Sequence, residues 1–248
     1  MKRILIVLLS IVAFSCGSSR ESAKREAEQQ QYEFTSNPAG KGPEIMIDFR
    51  RGESFYYPLI AIWLEDMQGN YLQTLYVAQS VATGTFRYGA TERNRWTATP
   101  LRAPQTLPYW AHKRGVKASD GLYMPEPENP VADAYTGPTP VTGFVLRTRA
   151  DSELPGSFRV LMEINQNWDW NRYWTNDKYP GDDNYARSAQ PAIVLEAVFG
   201  GAAGEETATM EVIGHSHYSG LTGELFRDLS TLTTALAIVS EVIVTVNR

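Results

Sequence analysis

Phe158, Val160, Met162 and Ile164 alternate with Arg159, Leu161, Glu163 and Asn165. A period of two fits a strand with one face on a core and does not fit a helix. The same period returns at Glu44–Phe49, where Ile45, Ile47 and Phe49 alternate with Met46 and Asp48. Leu59–Leu64 (LIAIWL) is apolar throughout, the pattern of a strand buried on both faces. Glu65 to Asn70 supplies turn chemistry, and Tyr71–Val77 runs back as the second arm of a hairpin. Further strands are expected at Gly143–Arg149, Ala192–Phe199, Thr209–Ile213 and Glu241–Val246, with Gly200–Gly204 as a hairpin connection and one short helix within Leu221–Ser230. There is no βαβ alternation and no internal repeat. The expected class is therefore all-β, an antiparallel sandwich with long loops.

Two regions depart from this patterning. Between residues 80 and 140, eight prolines (100, 104, 108, 125, 127, 130, 138 and 140) argue for a long excursion over the sandwich surface. At the N-terminus, Lys2 and Arg3 precede an apolar run from Ile4 to Phe14, and Ala13-Phe14-Ser15-Cys16 closes it with a cleavage site. That run is too short to span a bilayer, which takes roughly 20 apolar residues. It reads as a lipoprotein signal peptide, residues 1–15. Cys16, the only cysteine, is the expected lipidation site. Residues 16–42 are expected to form a flexible tether, because GSSRESAKREAEQQQ has no apolar face. The sandwich is expected over 43–248, with a folded start near Tyr32 or Pro43. This reading places the chain in a bacterial cell envelope, at the outer membrane, held by its N-terminal lipid.

Charge and composition narrow the partners. Removing Lys2 and Arg3 leaves 21 basic against 28 acidic side chains, a net charge near −7. Such a surface does not favour nucleic acid. A lipidated Cys16 leaves no thiol for disulfides, haem attachment or nucleophilic catalysis. The G-x-S-x-G, H-E-x-x-H and phosphate-loop signatures are absent from the sequence, which favours a binding role over an enzyme.

Ile62–Leu75 (IWLEDMQGNYLQTL), Phe158–Trp170 (FRVLMEINQNWDW) and Ser188–Val194 (SAQPAIV) together resemble a family of predicted periplasmic proteins of unknown function. The resemblance spans roughly 44–246. Gln190-Pro191-Ala192 carries alanine where the family has serine. It implies an Ig-like β-sandwich. Because members are often encoded near flavin transferases and membrane reductase-type proteins, it also implies an accessory role beside envelope redox partner proteins.

Three motifs carry candidate chemistry. Asp133-Ala134-Tyr135-Thr136-Gly137-Pro138-Thr139 resembles the acceptor motif of flavin transferases, which makes Thr139 a candidate for FMN attached through a phosphoester; Pro138 replaces the usual alanine. His215-Ser216-His217 sets two imidazoles on one face if the strand continues, but no third ligand is close in sequence, so solvent-facing histidines and no metal are expected. Residues 165–184 interleave Asn and Asp with large rings. Trp168, Asp169, Trp170, Asn171, Tyr173 and Trp174 are the candidate ligand-binding residues, since flat rings beside amides and carboxylates suit sugars. A surface glycan-binding lipoprotein is thus the competing function. A loop whose rings plug the core is the structural alternative.

Overall fold

A computed structural model describes residues 31–92, 95–132, 136–137, 139–201 and 203–248, so Cys16 lies outside the described residues. The strands are β1 (Tyr32–Thr35), β2 (Glu44–Arg51), β3 (Leu59–Asp66), β4 (Tyr71–Ala78), β5 (Thr85–Glu92), β6 (Arg95–Pro100), β7 (Thr136–Gly137), β8 (Phe144–Arg149), β9 (Phe158–Asn165), β10 (Ile193–Phe199), β11 (Glu205–Thr209), β12 (Glu211–His215) and β13 (Val239–Asn247). Short helices are α1 (Gln79–Ala82), α2 (Pro108–Arg114) and α3 (Asp183–Ser188), with a 3-10 turn at Thr234–Ala237.

The fold is an all-β sandwich. A five-stranded sheet, β1-β8-β2-β13-β11, faces a six-stranded sheet, β12-β10-β9-β3-β4-β7. Pairing is antiparallel except at two edges, where β1 runs parallel to β8 and β7 parallel to β4. Alternation places Ile45, Ile47 and Phe49 of β2 against Ile62 of β3 and Val160, Met162 and Ile164 of β9 in one apolar core. Phe49 and Phe144 stack there at 4.9 Å.

The six-stranded sheet is covered on its other face too. Ala61, Trp63, Leu161 and Val194 pack beneath Val81, Leu107, Trp110 and Met124 of the proline-rich excursion. That second core explains why LIAIWL is apolar at every position. The excursion is more regular than its prolines predict, holding α1, the β5–β6 hairpin and α2. Pro108 occupies the start of α2, where its missing N–H costs nothing, and Gly115 closes the helix at φ 73°.

Acidic side chains on this covered face have hydrogen-bond partners. Glu65 accepts from Trp63 Nε1 at 2.9 Å and from Arg159 at 2.6 Å, and Arg159 also reaches Glu196 at 2.7 Å. Glu163 receives the backbone N–H groups of Tyr109 (3.1 Å) and Trp110 (2.8 Å), so a β9 carboxyl caps α2.

Four expectations change. The folded unit starts at Tyr32, the earlier of the two expected starts, so the domain bound at residue 43 moves back, because β1 is a sheet strand and Phe34 packs against Tyr76 and Phe144. The β10–β11 link is no hairpin: it carries the chain from the six-stranded to the five-stranded sheet. Gly201 is required there, at φ 82°, since a Cβ would lie 1.5 Å from the Gly156 carbonyl oxygen. Thr209–Ile213 is split, because at buried Met210 the chain leaves β11 and returns to the other sheet as β12. Residues 221–230 hold no helix; Phe226 instead bridges back to His215. Among the described residues no helix is long and apolar enough to cross a membrane.

Candidate functional site

The loop after β9 is organised by its Asn and Asp side chains. Asn171 Oδ1 accepts the N–H groups of Tyr173 (2.8 Å) and Trp174 (2.7 Å), and its Nδ2 donates to the Thr231 carbonyl at 2.9 Å. One amide therefore closes a tight turn and ties it to a segment sixty residues away. Asp169 is buried: it accepts from the Thr234 hydroxyl, and its second carboxyl oxygen has no hydrogen-bond partner. Burial raises its pKa. Asp182 caps α3 by accepting from Asn184 and Tyr185, both at 3.0 Å.

These turns place rings over the β12 edge. Trp174 is buried against Tyr185, Tyr218 and His215, and its Nε1 donates to Thr231 Oγ1 at 3.2 Å. Tyr179 stacks on Tyr218 at 4.1 Å, with the ring planes nearly parallel. Lys178 Nζ stands 3.3 Å from the Tyr173 ring centroid.

Between these groups lies a cavity of about 310 Å³. Tyr173, Trp174 and Tyr179 come to it from the loop, and His215, Ser216, His217 and Tyr218 from the end of β12. Phe226, Asp228 and Thr231 close it from the following segment. His215 is buried and not solvent-facing; its ring stacks on Phe226 and its Nδ1 donates to the Ser216 carbonyl at 2.8 Å. Burial lowers the pKa of His215 and also of His217. The Ser230 hydrogen bonds lower that of Asp228, so the cleft carries a carboxylate and neutral imidazoles at neutral pH. β12 ends at His215, so His217 is not on the strand. Among the described residues no three His, Cys, Asp or Glu side chains are grouped to hold a metal ion.

Of the six residues expected from the loop, Tyr173 and Trp174 line the cleft. Asn171 and Asp169 act as scaffold, and Trp168 and Trp170 are exposed beyond the lining. The solvent-facing histidine pair expected from the sequence is corrected, because His215 and His217 line one cavity with Tyr173 and Trp174 of the loop. Tyr218, Phe226 and Asp228 were not foreseen. Their only sequence signal is that Tyr218 directly follows the histidine pair.

Thr139 follows β7, which pairs with β4 at the sheet edge opposite β12; it is half-buried and outside the cleft. Asp133, Ala134, Tyr135 and Pro138 of its motif lie outside the described residues. Comparison with protein-family models, curated proteins and solved structures returned no match.

Proposed function

We propose that this chain is a binding module of the bacterial envelope, tethered to the outer membrane through lipid on Cys16, with the aromatic cleft as its ligand site and a glycan as its ligand. The cleft carries this reading. Tyr173 and Tyr179 bring aromatic surface to the apolar side of a sugar ring, with Tyr218 stacked between Tyr179 and His217 as their support, while Asp228, His217 and Thr231 offer hydrogen bonds to hydroxyls. Its volume, about 310 Å³, suits one or two sugar rings. Tyr173 is half-exposed and makes little core contact, so it is the ring to test. Isothermal titration of the purified protein with envelope oligosaccharides should give saturable binding. Tyr173→Ala should weaken it roughly tenfold, the loss of one stacked ring worth about 1–2 kcal/mol. Absence of binding across the panel, or an unchanged affinity in the variant, rejects the glycan.

The resemblance supports a second reading, in which the module serves an envelope flavin system and Thr139 carries FMN. Thr139 lies outside any strand, on the β7–β8 connection, and is half-buried. Mass analysis of the Thr139 peptide, after co-expression with a flavin transferase, should then show an FMN adduct. An unmodified peptide, with a known acceptor modified in parallel, removes this reading.

A further inference from the structure

The strand register gathers one set of loops at one end of the sandwich. Arg51 of β2 lies opposite Val239 of β13, Leu59 of β3 opposite Asn165 of β9, and Ile164 opposite Ile193 of β10. The loops 52–58, 166–192 and 216–238 therefore share that end. They are tied together: Ser54 N–H donates to the Ala237 carbonyl, and Tyr56 N–H donates to Gln166 Oε1 at 2.7 Å.

This end exposes large rings. Tyr56 is 70% exposed, Tyr57 59%, Trp168 55% and Trp170 46%. The opposite end, formed by residues 67–70, 150–157 and 200–204, exposes no large ring among its described residues. The folded core does not account for these four side chains. Tyr57 and Trp168 moreover hold left-handed backbone, φ 48° and 58°, a conformation that bulky residues rarely adopt. A glycine or asparagine would fit either position with less strain, and a polar residue would be better hydrated.

The chain also enters the sandwich at this end. Phe144 of β8 lies opposite Phe49 near the close of β2, and β1 runs parallel to β8 with Tyr32 beside Phe144. Residues 17–31, joined to Tyr32, cannot extend beyond about 54 Å even when fully stretched. A lipid on Cys16 would join the domain through this end, where the chain enters β1 at Tyr32. Tyr and Trp favour the headgroup layer, where an apolar ring and a polar edge are both satisfied. The net negative charge argues against recruitment by anionic lipid, so the rings must supply the contact.

We propose that the end bearing Tyr56, Tyr57, Trp168 and Trp170 rests on the phospholipid surface with these rings in the headgroup layer. This rests on the lipid-anchor reading above. It also sets the cleft mouth, with Tyr173 on the same loop, close to the membrane surface.

The test uses the full mature protein, extracted from membranes and reconstituted in phosphatidylcholine vesicles carrying bromine near the headgroups. Tryptophan fluorescence should be quenched. A Trp168→Ser, Trp170→Ser double variant with an unchanged unfolding midpoint should lose most of that quenching. Intact mass reports the acyl group on Cys16 separately. Quenching absent from the acylated protein, or unchanged in the double variant, overturns the docking and leaves the anchor standing. A chain without the acyl mass that is still quenched supports the docking and removes the anchor. A chain lacking both overturns both.

Discussion

Trp174→Ala should destabilise the domain by about 3–5 kcal/mol, the usual cost of truncating a buried aromatic. Against a typical domain stability of roughly 5–15 kcal/mol, that is a large fraction. The ring fills the space between Tyr185, Tyr218 and His215, and its loss leaves a void continuous with the cleft. It also leaves Thr231 without its indole donor. Trp170→Ala, at an exposed position of the same loop, should cost less than about 1 kcal/mol. Urea denaturation of the two variants decides the point. Equal, small losses would mean that the loop is not anchored by Trp174, and the cleft would lose its rigid wall. Equal, large losses would make Trp170 a core residue and contradict its exposure.

The difference between these two tryptophans marks the limit of what the sequence discloses. Trp168, Trp170 and Trp174 sit in one polar loop with similar neighbours, and no periodicity separates them. They are separated by Asn171, whose side chain turns the backbone and reaches Thr231. A hydrogen bond across sixty residues leaves no local trace. Strands were legible where one rule governs them. Alternation located β2 and β9, and the unbroken run at β3 foretold burial on both faces, though not the α2 layer that causes it. Sheet membership was less legible. Met210 lies inside what reads as one strand, and only the pairing partners reveal that the chain changes sheets there. β1 was hidden because Tyr32–Thr35 is short and follows a charged segment; its parallel pairing with β8 supplies what its sequence lacks. The cleft was half legible: its aromatic loop and its histidine pair were each visible, but their meeting depends on how the segment after β12 folds back.

Glu163 gives the last expected result, a loss of stability as pH rises. Its side chain is fully buried beneath α2, and burial pushes its pKa up to about 8. The N–H groups of Trp110 and Tyr109, with a hydrogen bond from Ser216, pull the other way without cancelling the burial. In the unfolded chain the group titrates near its ordinary value of 4.5. Between these two values the folded protein holds a proton that the unfolded chain has released. Raising the pH through that window therefore favours unfolding, and the loss levels off above about 8. Integrated over the window it amounts to a few kcal/mol. His215 and His217 act differently: burial lowers their pKa values, so their contribution is lost as pH falls below about 6.5. Glu163→Gln isolates the carboxyl, because the histidine contributions are common to both proteins and cancel in the difference. At pH 5 the variant should be the less stable by about 1–3 kcal/mol, since its amide presents an N–H group to one of the two α2 donors. Toward pH 9 that deficit should shrink and reverse as wild-type Glu163 is forced to ionise. Chemical denaturation of both proteins from pH 5 to 9 measures the crossing. A difference that stays constant across this range would mean that Glu163 ionises in the folded state as readily as in water, and that α2 rests on a charged cap.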